Sequence, residues 1–188
     1  MRTTVITINP FDPSSVDKAV RELRQYSERV KRKADELRNK VAELIQERAE
    51  PVFQAAIADD TFKVVVKGGD DREEGPKIGG VTVTVEPTGE NVTLVIAHGK
   101  DAVFMEFGAG VYSNGSVGSS PNPWGNDLGF TIGSYGLGNG KKTVWGFKGE
   151  DGQIHLTHGT PASMPLYRAV QSVRQDIVNI AREVFASD

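Results

Sequence analysis

Cysteine is absent from the 188 residues. That excludes disulfides, thiolate nucleophiles and cysteine-based metal sites. Histidine is scarce, with three copies at His98, His155 and His158. His155 and His158 stand three apart in a stretch of strand character, where such residues face opposite sides. No third ligand is set by spacing, so no metal is expected. Long apolar runs are missing too, and none approaches the roughly 18 residues of a membrane span. The opening Met1–Ile8 is too short and too polar for a signal peptide, and Asn9-Pro10 ends it. The chain reads as soluble and unsecreted, with no membrane contact. Charge of one sign is also missing. Residues 1–50 carry 11 basic and 9 acidic side chains, and the remainder carries 11 and 16. Neither portion has the excess that marks a nucleic-acid binder.

Catalytic signatures are lacking as well. No Gly-x-Ser-x-Gly elbow and no Ser/His/Asp pattern stands out. The segment Gly136-Leu137-Gly138-Asn139-Gly140-Lys141-Lys142-Thr143 approaches a phosphate loop but fails in three places. Tyr135 occupies the first glycine position, Lys142 stands where Ser or Thr is needed, and strand-like Val144–Phe147 follows where a helix is needed. No cofactor is expected.

What is present suits one α+β domain over 1–188, within the usual range of about 100–200 residues. Thr3–Ile8 is β-branched and short, as in an edge strand. Asp12, Pro13 and Ser14 then form a helix start, and Ser14 with Asp17 resembles a capping box. The helix is expected over 13–50, ending where Pro51 cannot donate to the ladder. Val16, Leu23, Val30, Leu37 and Leu44 recur every seven residues. Val20, Ala34 and Val41 fill a companion row, with Ser27 at its remaining place. Two such rows form the seam of a long amphipathic helix, lying on the chain's own sheet or against another subunit. About 35 residues span roughly 50 Å, more than the roughly 40 Å of a compact globule this size. One end should overhang, or Pro51 must bend the helix. Arg29, Lys31, Arg32, Lys33, Arg38 and Lys40 could meet phosphate, but interleaved Glu28, Asp35, Glu36 and Glu43 favour a solvated face.

The period then changes to two. Strands are expected at Thr61–Lys67, Gly80–Glu86 and Val92–His98, with Gly68–Gly79 as a long loop and the third strand central. Val81, Val83 and Val85 should point one way and Thr82 and Thr84 the other. Lys100–Phe107 suits two helical turns ending at a left-handed Gly108. Thr143–Lys148 and Gln153–His158 pair across Gly149-Glu150-Asp151-Gly152. Short neighbouring strands favour an antiparallel meander. A C-terminal helix opens at Ser163 and Pro165 and buries Leu166, Ala169, Val170, Val173, Ile177, Ile180, Ala181 and Val184.

Between the compact motifs Phe104–Gly108 and Gly159–Pro165 lies a Gly-rich arm, 109–142. It carries Tyr112, Trp124, Phe130 and Tyr135, side chains that an inert linker does not need. Ordering a residue's backbone costs roughly 1–2 kcal/mol. An arm this long is therefore mobile alone or docks its aromatics on a neighbour. Glu106 is the one acid in an apolar run. It reads as a structural carboxylate, capping backbone amides or pairing with a base such as Arg168, rather than as a general acid, which usually needs a second group in reach.

Three segments carry a resemblance: Phe104-Met105-Glu106-Phe107-Gly108, Trp145-Gly146-Phe147, and Thr157-His158-Gly159-Thr160-Pro161-Ala162-Ser163-Met164-Pro165-Leu166. In this order, beside a long charged N-terminal helix, they resemble the tail-completion (head–tail joining, or neck) proteins of long-tailed bacteriophages and prophages. The motif-level likeness covers roughly 100–168. Ser163 and Leu166 stand where family members often carry Arg and an aromatic residue. The resemblance implies a non-enzymatic structural protein of the virion neck, made in the host cytoplasm during assembly. Its partners would be copies of itself in a ring, the head-closure or connector protein, and the tail-tube or tail-terminator protein, with passing contact with DNA. Glu106, Phe107, Gly108, Gly159, Pro161 and Pro165 would be its structural motif residues, and Tyr112, Trp124, Phe130 and Tyr135 its contacts. The alternatives are a tail-terminator or tube-capping protein, a nucleic-acid binder using the basic helix face, and a hydrolase working through Glu106 and the histidines.

Overall fold

A computed structural model describes residues 5–59, 61–65, 71–76, 79–89, 91–99, 101–108, 122–127, 145–148, 152–157, 159 and 161–187. The fold is α+β. Its elements run α1 (Pro13–Asp59), β1 (Thr61–Val65), β2 (Asp71–Pro76), β3 (Thr82–Pro87), β4 (Thr93–His98), α2 (Ala102–Phe107), α3 (Trp124–Asp127), β5 (Trp145–Lys148), β6 (Ile154–Thr157) and α4 (Pro165–Ala186).

Helix α1 starts at Pro13 as expected, two residues before the Ser14–Asp17 capping box would place it. Asp12 is the cap, its carboxylate accepting the Ser14 N–H at 3.0 Å, and Pro13 takes the first helical position, where a missing N–H costs nothing. Val5–Asn9 forms no strand. No strand pairs with it among the described residues; instead the Asn9 N–H donates to Ser15 Oγ at 2.9 Å.

The expected end at Glu50 is overrun. Pro51 lies inside α1, which continues to Asp59. An internal proline removes one rung and strains the turn before it, at about 3 kcal/mol. Packing on both sides of the break outweighs that cost. Ala49 and Phe53 are fully buried, and Ala56 and Ile57 pack on the same core. Gln54 Nε2 donates to the Val81 carbonyl at 3.2 Å, so the helix beyond the proline is held by its neighbours as well as by its own ladder.

Among the described residues the strands form three antiparallel pairs, β1–β2, β3–β4 and β5–β6, rather than one meander. Strand β2 lies where a loop was expected, and β4 pairs only with β3 among the described residues instead of sitting centrally. In β3–β4 the expected alternation holds at its start, with Val81 and Val83 buried and Thr82 facing water, and fades after it, with Thr84 and Val85 both half-buried. The turn uses Gly89 and Asn91 at positive φ, closed by the Thr88 N–H donating to the Val92 carbonyl at 2.9 Å. Gly99, after β4, is obligatory for a different reason. A Cβ there would lie 2.9 Å from the Gly80 carbonyl oxygen.

The core lies between α1 and the β3–β4 hairpin, closed by α2 and the start of α4. It comprises Ala49, Phe53, Val81, Val83, Ala102, Met105 and Ala169. A row of polar contacts fastens α1 to the hairpin. Gln46 Nε2 donates to the Val83 carbonyl at 2.6 Å, and Arg38 Nε donates to Thr93 Oγ1 at 3.1 Å. On its other side α1 packs antiparallel to α4, which buries Ala169, Val173, Ile180 and Val184 but leaves Val170 largely exposed. Arg48 holds Ser172 at 2.6 Å and Asp176 at 2.8 Å, while Lys33 reaches Ser187 at 3.0 Å. Helix α4 thus ends level with Lys33.

Phe53→Ala should lower unfolding stability by about 3–5 kcal/mol, because the void it leaves is lined by α1, β3 and α2, which are fixed by other contacts. Chemical denaturation of the variant measures this. Pro51→Ala should raise stability, since it restores the missing rung in a helix whose neighbours stay in place. A lower midpoint for Pro51→Ala would show that the turn is shaped around the ring.

Candidate functional site

The two motif ends, sixty residues apart, meet in one joint. Helix α2 delivers it. Asp101 precedes α2 and accepts the Gly79 N–H at 2.9 Å, which fixes where the helix starts. Gly108 ends it at φ 82°, ψ 164°, an extended positive-φ shape rather than the left-handed helical one, with its N–H on the Phe104 carbonyl at 2.8 Å. Between these points Met105, Glu106 and Phe107 are all buried.

Helix α4 presents the complementary half. Its cap position is Met164 in the left-handed region at φ 56°, with no side-chain cap, and Pro165 follows as the first helical residue. The first amides of a helix have no partner within it. Here they find partners on α2. The Met105 carbonyl accepts the N–H of Ser163 at 2.8 Å and of Met164 at 3.1 Å. The Glu106 carboxylate accepts the Leu166 N–H on Oε2 and the Tyr167 N–H on Oε1, both at 2.9 Å. A carboxylate at a helix N-terminus also lies at the positive end of the helix dipole. Arg168 is not its partner; Nη1 of that residue turns to the Ser163 carbonyl at 3.4 Å.

A third segment joins from the arm. Asn122 Nδ2 donates to Glu106 Oε1 at 3.4 Å, and Asn122 Oδ1 accepts the Trp124 N–H at 3.2 Å, opening the short helix α3. Asn122 therefore ties α3 to the joint. Sequence reading passed over it, although Asn122-Pro123 has the form of a helix cap followed by proline at the first helical position. Trp124, on α3, is 72% exposed, an unusual position for a tryptophan. Of the other arm aromatics, Tyr112, Phe130 and Tyr135 lie outside the described residues, as does most of the 109–142 arm. Pro165 is buried, Gly159 half-buried and Pro161 exposed.

Glu106 is 5% exposed. Burial pushes its carboxyl above the ordinary value, and the amides of Tyr167 and Leu166 and the Asn122 side chain pull the other way. No titratable side chain is among those hydrogen-bond partners. The histidines lie elsewhere. His98 Nε2 is 2.8 Å from Thr84 Oγ1, His155 sits on β6, and His158 is outside the described residues. Among the described residues no group of His, Cys, Asp and Glu could hold a metal ion, and no helix is long and apolar enough to cross a membrane. The phosphate-loop-like segment 136–143 is also outside them. On α1, Lys31, Lys33 and Arg38 pair with Glu28, Glu36 and Asp35 at 3.4, 3.1 and 3.0 Å, and Arg29 stacks on Tyr26. Four of the six basic side chains of that face are thus engaged locally.

Comparison of the chain with protein-family models, with curated proteins and with solved structures finds no match.

Glu106→Ala strands two amides in a buried joint and should cost about 1–3 kcal/mol. The pH dependence has a definite sign. The folded-state carboxyl is raised above its ordinary value of 4.5. Its contribution to stability is therefore full below that value and declines as pH rises through the raised one. Denaturation at about pH 4.5 and about pH 7.5 should show wild type losing stability relative to Glu106→Gln as pH rises. A constant difference across that range would refute the shift.

Proposed function

We propose that this chain is a structural protein of the neck of a long-tailed bacteriophage, completing the tail or joining the head connector to the tail tube through protein–protein contacts. The observation that carries the reading is the joint. The residues that resemble the tail-completion family, Phe104–Gly108 and Gly159–Leu166, are far apart in sequence and interlock through Met105 and Glu106. A motif whose polar group is occupied by helix amides serves architecture, which suits assembly better than catalysis. The exposed Trp124, held beside that joint by Asn122, offers a contact for a neighbour. Tryptophan is enriched among residues that dominate interface energies. Copies arranged in a ring need a heterologous interface, to which Trp124 would contribute.

Deleting the gene from its phage should leave DNA-filled heads and finished tails unjoined, and purified protein added to such an extract should restore infectious particles. Tails of uncontrolled length would assign the chain to tail termination instead. Normally tailed, infectious particles from the deletion would overturn the proposal.

A further inference from the structure

Among the described residues, the bond from Lys33 to Ser187 is the first along α1 that fastens it to another helix or strand, so residues 13–32, about 30 Å of helix, lie beyond the end of α4. The seven-residue rows do not stop there. Arg48, the next place in the row Ser27, Ala34, Val41, bonds Ser172 and Asp176 of α4, so the row turns towards α4 there, while Val41 is half-buried and Ala34 exposed. Over residues 13–32 the same rows are partly exposed. Val16 and Val20 are 40% exposed and Leu23 is 53% exposed. Ala19, on the flank, is already covered. An amphipathic helix whose apolar rows keep a heptad register into solvent is built to pack on another helix.

We propose that the occupant is a second copy of the same segment, running antiparallel. Three observations select it. The first is continuity: α4 lies antiparallel beside α1 from Arg48 to Lys33, and a partner's α1 in the same direction would follow on where α4 ends. The second is charge. Residues 12–22, with Asp12, Asp17, Lys18, Arg21 and Glu22, sum to −1, whereas residues 23–33, with Arg24, Glu28, Arg29, Lys31, Arg32 and Lys33, sum to +4. An antiparallel pair sets the first stretch against the second; a parallel pair sets the basic stretch against itself. The third is register. Placing Val20 against the partner copy's Leu23 puts Val16 against its Ser27 and Pro13 against its Val30, just short of the end of α4. That register brings Asp17 beside the second copy's Arg24, twice by symmetry. Neither side chain has an ion-pair partner of its own among the described residues. The contact is isologous and closes as a dimer. The contact is confined to residues 13–32 of each helix, a small interface, so the dimer is dissociable. The inference does not depend on the neck assignment.

The full chain should show a concentration-dependent monomer–dimer equilibrium in analytical ultracentrifugation. Asp17→Arg and Arg24→Asp should each weaken the dimer about ten-fold, and the double swap should restore it. Leu23→Asp should abolish it while leaving the thermal transition of the body in place. Because the chain has no cysteine, cross-linking is clean. Val16→Cys with Ser27→Cys in one chain should give an oxidised dimer, and Val16→Cys alone should not, its two copies lying about 16 Å apart. A monomer at every concentration overturns the proposal and leaves the seam to a different protein. A double swap as weak as the single ones, or cross-linking by Val16→Cys alone, overturns the antiparallel register.

Discussion

The fold depends on how helix α4 is started. Its cap position, Met164, offers no side-chain acceptor, and the proline that follows contributes no N–H. The amides around that proline would be left buried and unpaired, a cost that native structures avoid. The missing acceptors come from α2, one from the Met105 carbonyl and two from the Glu106 carboxylate. This explains an acid in an otherwise apolar run. It also explains why a buried carboxyl is tolerated: burial disfavours its charge, and helix amides and dipole offset part of that. The joint closes a loop of about sixty residues. Closure entropy grows only logarithmically, about 0.6 kcal/mol per doubling of loop length. The chain between the two motifs can therefore change in length and composition at little cost to the fold.

The second organising element is the contact between α1 and the β3–β4 hairpin. Apolar residues fill the middle, with Phe53 against Val81, Val83 and Met105 in the core, and side-chain amides fasten the rest. Gln46 and Gln54 donate to the carbonyls of Val83 and Val81. These bonds are directional where apolar packing is not, so they set the rotation and axial position of α1 on the hairpin. They also hold the helix across Pro51, where its own ladder lacks a rung.

Most regular elements were legible because their periods are strong. The alternation of Val81, Val83 and Val85, the rows from Val16 to Leu44, and the face from Ala169 to Val184 all have a dominant spacing. What was not legible depended on tertiary contacts. Pro51 is a sound local stop signal, overridden by the burial of Ala49 and Phe53 on either side of it. Strand β2, with Asp71, Arg72, Glu73, Glu74, Gly75 and Pro76, has no strand composition and is set by backbone pairing with β1. The division into three strand pairs instead of one meander leaves no mark on local pattern. Val170 falls on the apolar stripe of α4 yet stays largely exposed, because α1 covers only part of that stripe. At the joint, a capping role for Glu106 was within reach of residue chemistry, but its partners were not, since nothing in sequence measures the approach of α2 to α4.

The stiffness of α1 has a mechanical consequence. One end of the helix is fastened to the hairpin and to α4 over many turns, while its first twenty residues extend about 30 Å past the last of these fastenings among the described residues. Such a beam amplifies small rotations of its base. A tilt of about 5° in the body carries the tip through roughly 2.6 Å, more than the rise of one residue along a helix. Orientation errors too small to disturb the packed body are thus large at the tip. A contact made there senses the angle of the whole domain, and two domains joined through it inherit a defined relative orientation only when the full length of that stretch is engaged.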